Sequence, residues 1–213
     1  MTDPLFDTLF RPTTVPAAIA SAAPVRVLGT RTRAGNSMAR TRAALLEGTG
    51  RAVQVSGTKI TMSQVATAAG VAKATLYNHF RTREALLAAL VLDEVTAIVE
   101  GCAGLPVADA LAAAANALAE HPVLRALAEI EPATLAELGR IDDAAEGWRL
   151  ARTAVVSALA ADLRGGAELV LRWLASYLLS PANAESIAAD LAILLVALPD
   201  LPVAEAEITS LGA

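Results

Sequence analysis

The run Lys73-Ala74-Thr75-Leu76-Tyr77-Asn78-His79 carries most of the outward chemistry this sequence offers. Leu76 and Phe80 stand four apart, on one face of a helical turn, and belong to a core. That leaves an ammonium (Lys73), a hydroxyl (Thr75), a phenol (Tyr77), a carboxamide (Asn78) and an imidazole (His79) on the other side. Such a set supplies hydrogen-bond donors and positive charge rather than an activated nucleophile. It suits phosphate oxygens and the base edges of a major groove. Local bonding to the helix is the competing use for Thr75 and His79.

To present that face, the chain needs a short helix held at a sharp angle to another. Thr61 and Gln64 have the spacing of a capping box, in which the Thr hydroxyl takes an orphan helix N–H and the Gln side chain reaches back. A helix starts there, with Val65, Ala66 and Ala69 on one face. Gly70 supplies the backbone freedom to turn, Val71 plugs the turn, and a second helix runs from about Ala72 to His79.

In order and spacing, Gly70-Val71, Thr75-Leu76-Tyr77, His79-Phe80 and Glu84 to Leu86 closely resemble the DNA-binding domain of the TetR family of bacterial transcriptional regulators, over roughly residues 39–90. The resemblance implies that Lys73, Ala74 and Tyr77 meet bases or neighbouring backbone, and that Thr75, Tyr77, His79 and Arg83 contact phosphate. It also implies that Met62 and Ser63 touch phosphate or bases, while Asn78 adds a donor to the outward face. Two positions depart from the family pattern. Ala72 stands where a Ser or similar N-cap is usual, which forgoes about 1 kcal/mol of capping. Arg83 stands where a Lys is usual, keeping the charge but changing its geometry.

Other chemistries find little support. Of the two histidines, His79 lies in the outward face and His121 precedes Pro122 at a helix start, as a surface or capping residue. No Glu-x-x-His pair appears for a dimetal bundle, and no glycine-rich phosphate loop. Cys102, between Gly101 and Ala103, reads first as a small apolar filler and second as a redox sensor. No catalytic residue, metal or cofactor is expected.

The composition is 55% hydrophobic but only 3% aromatic, so a core must be built from Ala, Leu and Val in helical periodicity. The expected fold class is all-α. The longest uncharged stretch, Pro12 to Val25, is broken by proline and shorter than the ~18 residues of a membrane span. The N-terminus, MTDPLF, is acidic and does not read as a secretory signal, and a single cysteine agrees with a cytoplasmic location. Residues 1–90 hold 11 basic and four acidic side chains, net +7, whereas residues 91–213 are net −12, which together give the overall −5. A basic end and an acidic body suit a protein that turns only one end to DNA.

Three segments are expected. Residues 1–36, with four prolines and Arg26, Arg31 and Arg33 near the end, read as an irregular basic extension, either a solvated tail or an arm reaching DNA. Residues 37–86 form the head. Its first helix should start near Asn36 or Ser37 and end at Gly57, with Ala44, Leu45, Ala52 and Val55 packed inward and Arg40 and Arg42 placed for phosphate. Residues 87–213 form the body, entered by a fourth helix from about Thr82 to Glu100. Leu86, Leu87 and Leu90 on that helix close the head, while Val91, Val95, Ile98 and Val99 enter the body.

In the body, Pro122 and Pro132 suit first helical positions. Asp143 with Glu146 reads as a capping box for a long helix to about Leu163, broken by Gly165 and Gly166. The last helix is apolar on all sides. Its stripe of Ile187, Leu191, Leu194, Leu195 and Leu198, with Val170, Trp173, Leu174 and Tyr177 of the helix before, is expected to form a four-helix interface with a second copy. The alternative is that both helices are intrachain core.

By resemblance the protein is a ligand-responsive repressor that binds a palindromic double-stranded operator as a homodimer, its heads about one helical turn, ~34 Å, apart. An activator of the same fold, or a small-molecule-binding protein whose helix-turn-helix no longer reads DNA, stands as the alternative. The expected effector is small and apolar, because only Trp148, Trp173 and Tyr177 supply aromatic surface in the body. Arg149 and Arg152 stand either as partners for an effector carboxylate or as surface charges paired with acids such as Glu146.

Overall fold

A computed structural model describes residues 31–198, and among them every regular element is helical. The α-helices are α1 (Arg31–Ser56), α2 (Met62–Ala69), α3 (Lys73–His79), α4 (Arg83–Gly101), α5 (Val107–Glu120), α6 (Pro122–Ile130), α7 (Pro132–Leu138), α8 (Glu146–Ala158), α9 (Ala167–Leu179) and α10 (Ala184–Ala197). Short 3-10 turns at Gly57–Lys59 and Ala161–Gly166 join α1 to α2 and α8 to α9. Among the described residues, no helix is long and apolar enough to cross a membrane.

The helix-turn-helix forms as its local chemistry dictates. Gln64 N–H donates to the Thr61 hydroxyl at 3.2 Å while Thr61 N–H donates to the Gln64 side chain at 2.7 Å, which completes the capping box. Gly70 closes α2 in the left-handed region, at φ 66°, where a Cβ would be strained. Thr82 caps α4, its hydroxyl accepting from Ala85 N–H at 3.1 Å. Ala72 leaves α3 without a side-chain cap, as its residue type requires.

Two cores hold the molecule. The first joins Leu45, Leu46 and Val53 of α1 to Val65, Leu76, Phe80, Leu86, Leu87 and Leu90, and it also takes in Val123 and Leu127 of α6 and Leu135 of α7. The second draws on α5, α8, α9 and α10. Helices expected in the body are thus built into the core of the head, and the cores do not divide at residue 86. The second half of α4 belongs to neither core. Val91, Val95, Ile98 and Val99 are only half-buried there, and Gly147 of α8 lies close against the first two.

Four further expectations are corrected. Helix α1 starts at Arg31, ahead of Asn36, because Asn36 and Ser37 continue the helix instead of capping it; the expectation for residues 1–30 lies outside the described residues. Val55 is 80% exposed, not inward. It lies about 200° around the helix from Val53, which takes the buried position. Asp143 does not cap α8: Asp142 accepts from Ala144 N–H, Asp143 accepts from Arg152, and Ala145 is the uncapped N-terminal flank. Finally, α8 ends at Ala158, where Leu159 turns extended and buries its side chain in the second core.

Helices α1 and α2 meet at Gly48, where a Cβ would come within 2.6 Å of the Ala69 backbone. Gly48→Ala must push the two helices apart, and we expect a loss of about 1–3 kcal/mol in stability by urea denaturation. An unchanged midpoint would mean that the helices separate freely at this point.

Candidate nucleic-acid interface

Helix α3 is anchored on one side only. Leu76 is fully buried and Phe80 nearly so, whereas Lys73, Ala74, Tyr77 and Asn78 are exposed and Thr75 and His79 are half-buried. The side chains of Lys73, Thr75, Tyr77 and Asn78 make no hydrogen bond to any described residue. Thr75 differs in this from Thr41, Thr49, Thr67, Thr96 and Thr153, whose hydroxyls all donate to the carbonyl four residues back. Local bonding therefore does not consume the Thr75 hydroxyl. His79 makes only a tilted ring contact with Phe80, at 6.4 Å between centroids.

The flanking candidates differ from one another. Ser63 is exposed at the start of α2, while Met62 is half-buried and packs against the head core, which uses much of its surface. Arg83 is engaged by its neighbour, with its guanidinium 3.1 Å from the Glu84 carboxylate. Arg40 is exposed on α1. Arg42 lies over the Phe80 ring, 4.9 Å from the centroid, so it braces the end of α3 by a cation–π contact besides carrying charge. Sequence reasoning missed Arg81. It is exposed, follows α3 directly and makes no hydrogen bond among the described residues; a charge immediately beyond the outward face was the signal for it.

In the body, the five effector candidates are not gathered around one cavity. Tyr177 is buried and its hydroxyl donates to Asp190 at 3.1 Å; burial, reinforced by that carboxylate, pushes its pKa up to about 12. Trp173 meets Tyr177 edge-on at 5.2 Å, and Trp148 packs against the second core. Arg149 donates to the Ala144 carbonyl. Arg152 lies 2.9 Å from Asp143 and 2.8 Å from Glu168 and thus already holds two carboxylates. An open cleft of roughly 770 Å³, lined by Arg140, Arg152, Glu168 and Arg172, holds Arg152 alone of the five.

The residues named for the dimer interface turn inward as well. Val170, Leu174, Tyr177, Ile187, Leu191, Leu194 and Leu198 are buried within one chain, and Trp173 and Leu195 are half-buried against the same core. Helix α10 instead leaves Ala189, Ala192, Ile193 and Val196 exposed at helical spacing, with Ile193 at 70% and Val196 at 76%. Leu169 and Leu179 are exposed on α9.

Burial pushes the Cys102 thiol up, and its Sγ donates to the Ala110 carbonyl at 3.3 Å, the surroundings of an unreactive thiol. His121 Nε2 lies 3.1 Å from the Glu94 carboxylate, a contact between α4 and the start of α6. No group of three or more potential metal ligands occurs among the described residues.

A short helix that buries one edge and offers unspent donors along the other, set by a tight turn against a capped partner helix, defines an all-helical DNA-binding protein of the helix-turn-helix class. The family model described as bacterial regulatory proteins of the tetR family matches residues 55–90, a span that runs from the end of α1 through α2 and α3 into α4. Residues 55–90 thus carry a helix-turn-helix of the tetR type, which supports a place for the chain among the transcriptional regulators of that family. No curated protein matches the chain.

Proposed function

We propose that this regulator is a ligand-responsive repressor that binds a palindromic operator as a homodimer in the cytoplasm. The observation that carries the reading is the outward face of α3, where the side chains of Lys73, Thr75, Tyr77 and Asn78 make no hydrogen bond among the described residues while Leu76 and Phe80 lock the helix in place. With the helix backbone already held, binding a duplex has only the outward side chains left to order. We assign base or backbone contacts to Lys73, Ala74 and Tyr77, and phosphate contacts to Ser63, Thr75, His79, Arg81 and Arg40. Met62 and Arg83 enter only if contact with DNA draws them from the core and from Glu84.

The apolar face of α10 supports the dimer. Ala189 and Ala192 are small enough for a second helix to approach closely, and Ile193 and Val196 supply area that water would otherwise cover. With Leu169 and Leu179 of α9, two copies would bury these faces against each other around a two-fold axis. The ligand response rests on α4. Its first half is fixed in the head core, while its half-buried Val91, Val95, Ile98 and Val99 offer a surface that a small apolar effector would cover. An effector that favours one placement of α4 shifts the separation of the heads and weakens the operator complex.

Selection of bound sequences from a random DNA pool tests the reading. The expected product is an inverted repeat with half-sites about one helical turn apart. A pool that stays random, or a single half-site without its mate, would refute it.

A further inference from the structure

Glu131 lies at the joint of α6 and α7, yet its carboxylate reaches the turn that launches the helix-turn-helix. Thr58 donates to it twice, through its N–H at 3.1 Å and its hydroxyl at 2.5 Å, and Thr134 adds a longer hydroxyl contact at 3.4 Å. Gly57 makes the approach possible. At φ +65° it takes a conformation that favours glycine, and a Cβ there would stand 2.9 Å from the Glu131 carboxyl group. An ionised acceptor holding two donors of one residue is a stronger tie than neutral contacts of the same length.

The first turn of α6 carries a second, longer tie. One guanidinium nitrogen of Arg125 donates to the carbonyls of Tyr177 and Leu178, at 3.3 Å each, where α9 ends. Those carbonyls lack partners further along the helix, and a cation at a helix C-terminus is favoured by the peptide dipoles. Leu127 between the two ties, and Val123 and Leu135 on either side of them, are buried in the core of the head. Helix α6, with Glu131 at its C-terminal flank, therefore links the end of α9 to the loop in front of α2.

We propose that Glu131 is a positioning residue for DNA reading: by pinning the Gly57–Lys59 turn to α6 and α7, which Arg125 fixes to α9, it sets the angle of the head and hence the half-site separation the dimer accepts. The proposal rests on the operator-binding dimer described above. It adds a second connection between head and body that does not pass along α4. A free head would tolerate several spacings, whereas a pinned head demands one.

Duplexes carrying the selected operator, with its half-sites moved together or apart one base pair at a time, test this directly. Each step displaces a half-site by ~3.4 Å and rotates it by about 34° around the duplex. The intact protein should lose roughly tenfold or more in affinity at either neighbouring spacing. Glu131→Gln and Thr58→Val should compress that ratio to about threefold or less, with affinity for a single half-site unchanged, and Glu131→Ala should compress it further. Variants that keep the original ratio, or that lose affinity equally at every spacing and at the single half-site, overturn the proposal. If Glu131→Ala fails to fold, the two milder variants carry the test alone. An intact protein that selects no spaced repeat defeats the operator-binding reading and this proposal together, whereas an intact protein with sharp spacing and variants equally sharp defeats this proposal alone.

Discussion

Replacing Ile193 and Val196 together by aspartate is expected to give a monomer and to lower affinity for a palindromic operator by roughly 10²–10⁴-fold. Both side chains stand out from α10, at 70% and 76% exposure, so neither change opens a cavity in the fold. The isolated chain should keep its helical fold and melt lower only by the stabilisation that dimerisation contributed. In a dimer, however, the new carboxylates would face apolar surface and one another across the axis, where an unpaired charge has no solvation. The operator affinity falls because the second head loses its tether. Sedimentation equilibrium and an operator titration on the same sample would check this. A variant that remains dimeric and binds normally would show that the copies meet elsewhere.

Tyr77→Ala is expected to cost about 1–3 kcal/mol at each half-site, counted twice in a symmetric complex, with little change in fold stability. The ring is 44% exposed and its hydroxyl has no partner within the chain, so what is lost is the contact with DNA. Lys73→Ala should act differently. Removing one phosphate-facing or base-facing ammonium per head should lower the slope of log affinity against log salt by about one for each head, or relax preference at one base position. Gel-shift titrations over a range of salt would separate the two behaviours. If both variants match the original protein on the selected operator, α3 does not read the DNA.

The head was legible because its signals are local. The Thr61 and Gln64 box, the left-handed Gly70 and the Leu76 and Phe80 pair act over three or four residues, and each forms as the sequence implies. The tie from Thr58 to Glu131 spans 73 positions and has no local signature. Nothing in the spacing of α6 or α7 says that Val123, Leu127 and Leu135 complete the core of the head.

Helix α10 shows a different limit. Its sequence announces that both sides need cover, yet the apolar period is the same on each. Packing against α5 and α9 decides that Ile187, Leu191 and Leu194 turn inward and that Ile193 and Val196 stay exposed. The end of α8 was obscure for a similar reason. Glycines at 165 and 166 looked like the break, but burial of Leu159 in the second core ends the helix sooner.

The most direct test of α3 as a paired DNA-reading element is titration of the selected duplex, against a scrambled duplex of equal length, with stoichiometry read from the same curves. The expected result is two chains per duplex and an affinity at physiological salt roughly 10³-fold or more above that for the scrambled sequence. One chain per duplex, or equal affinity for both sequences, would contradict it.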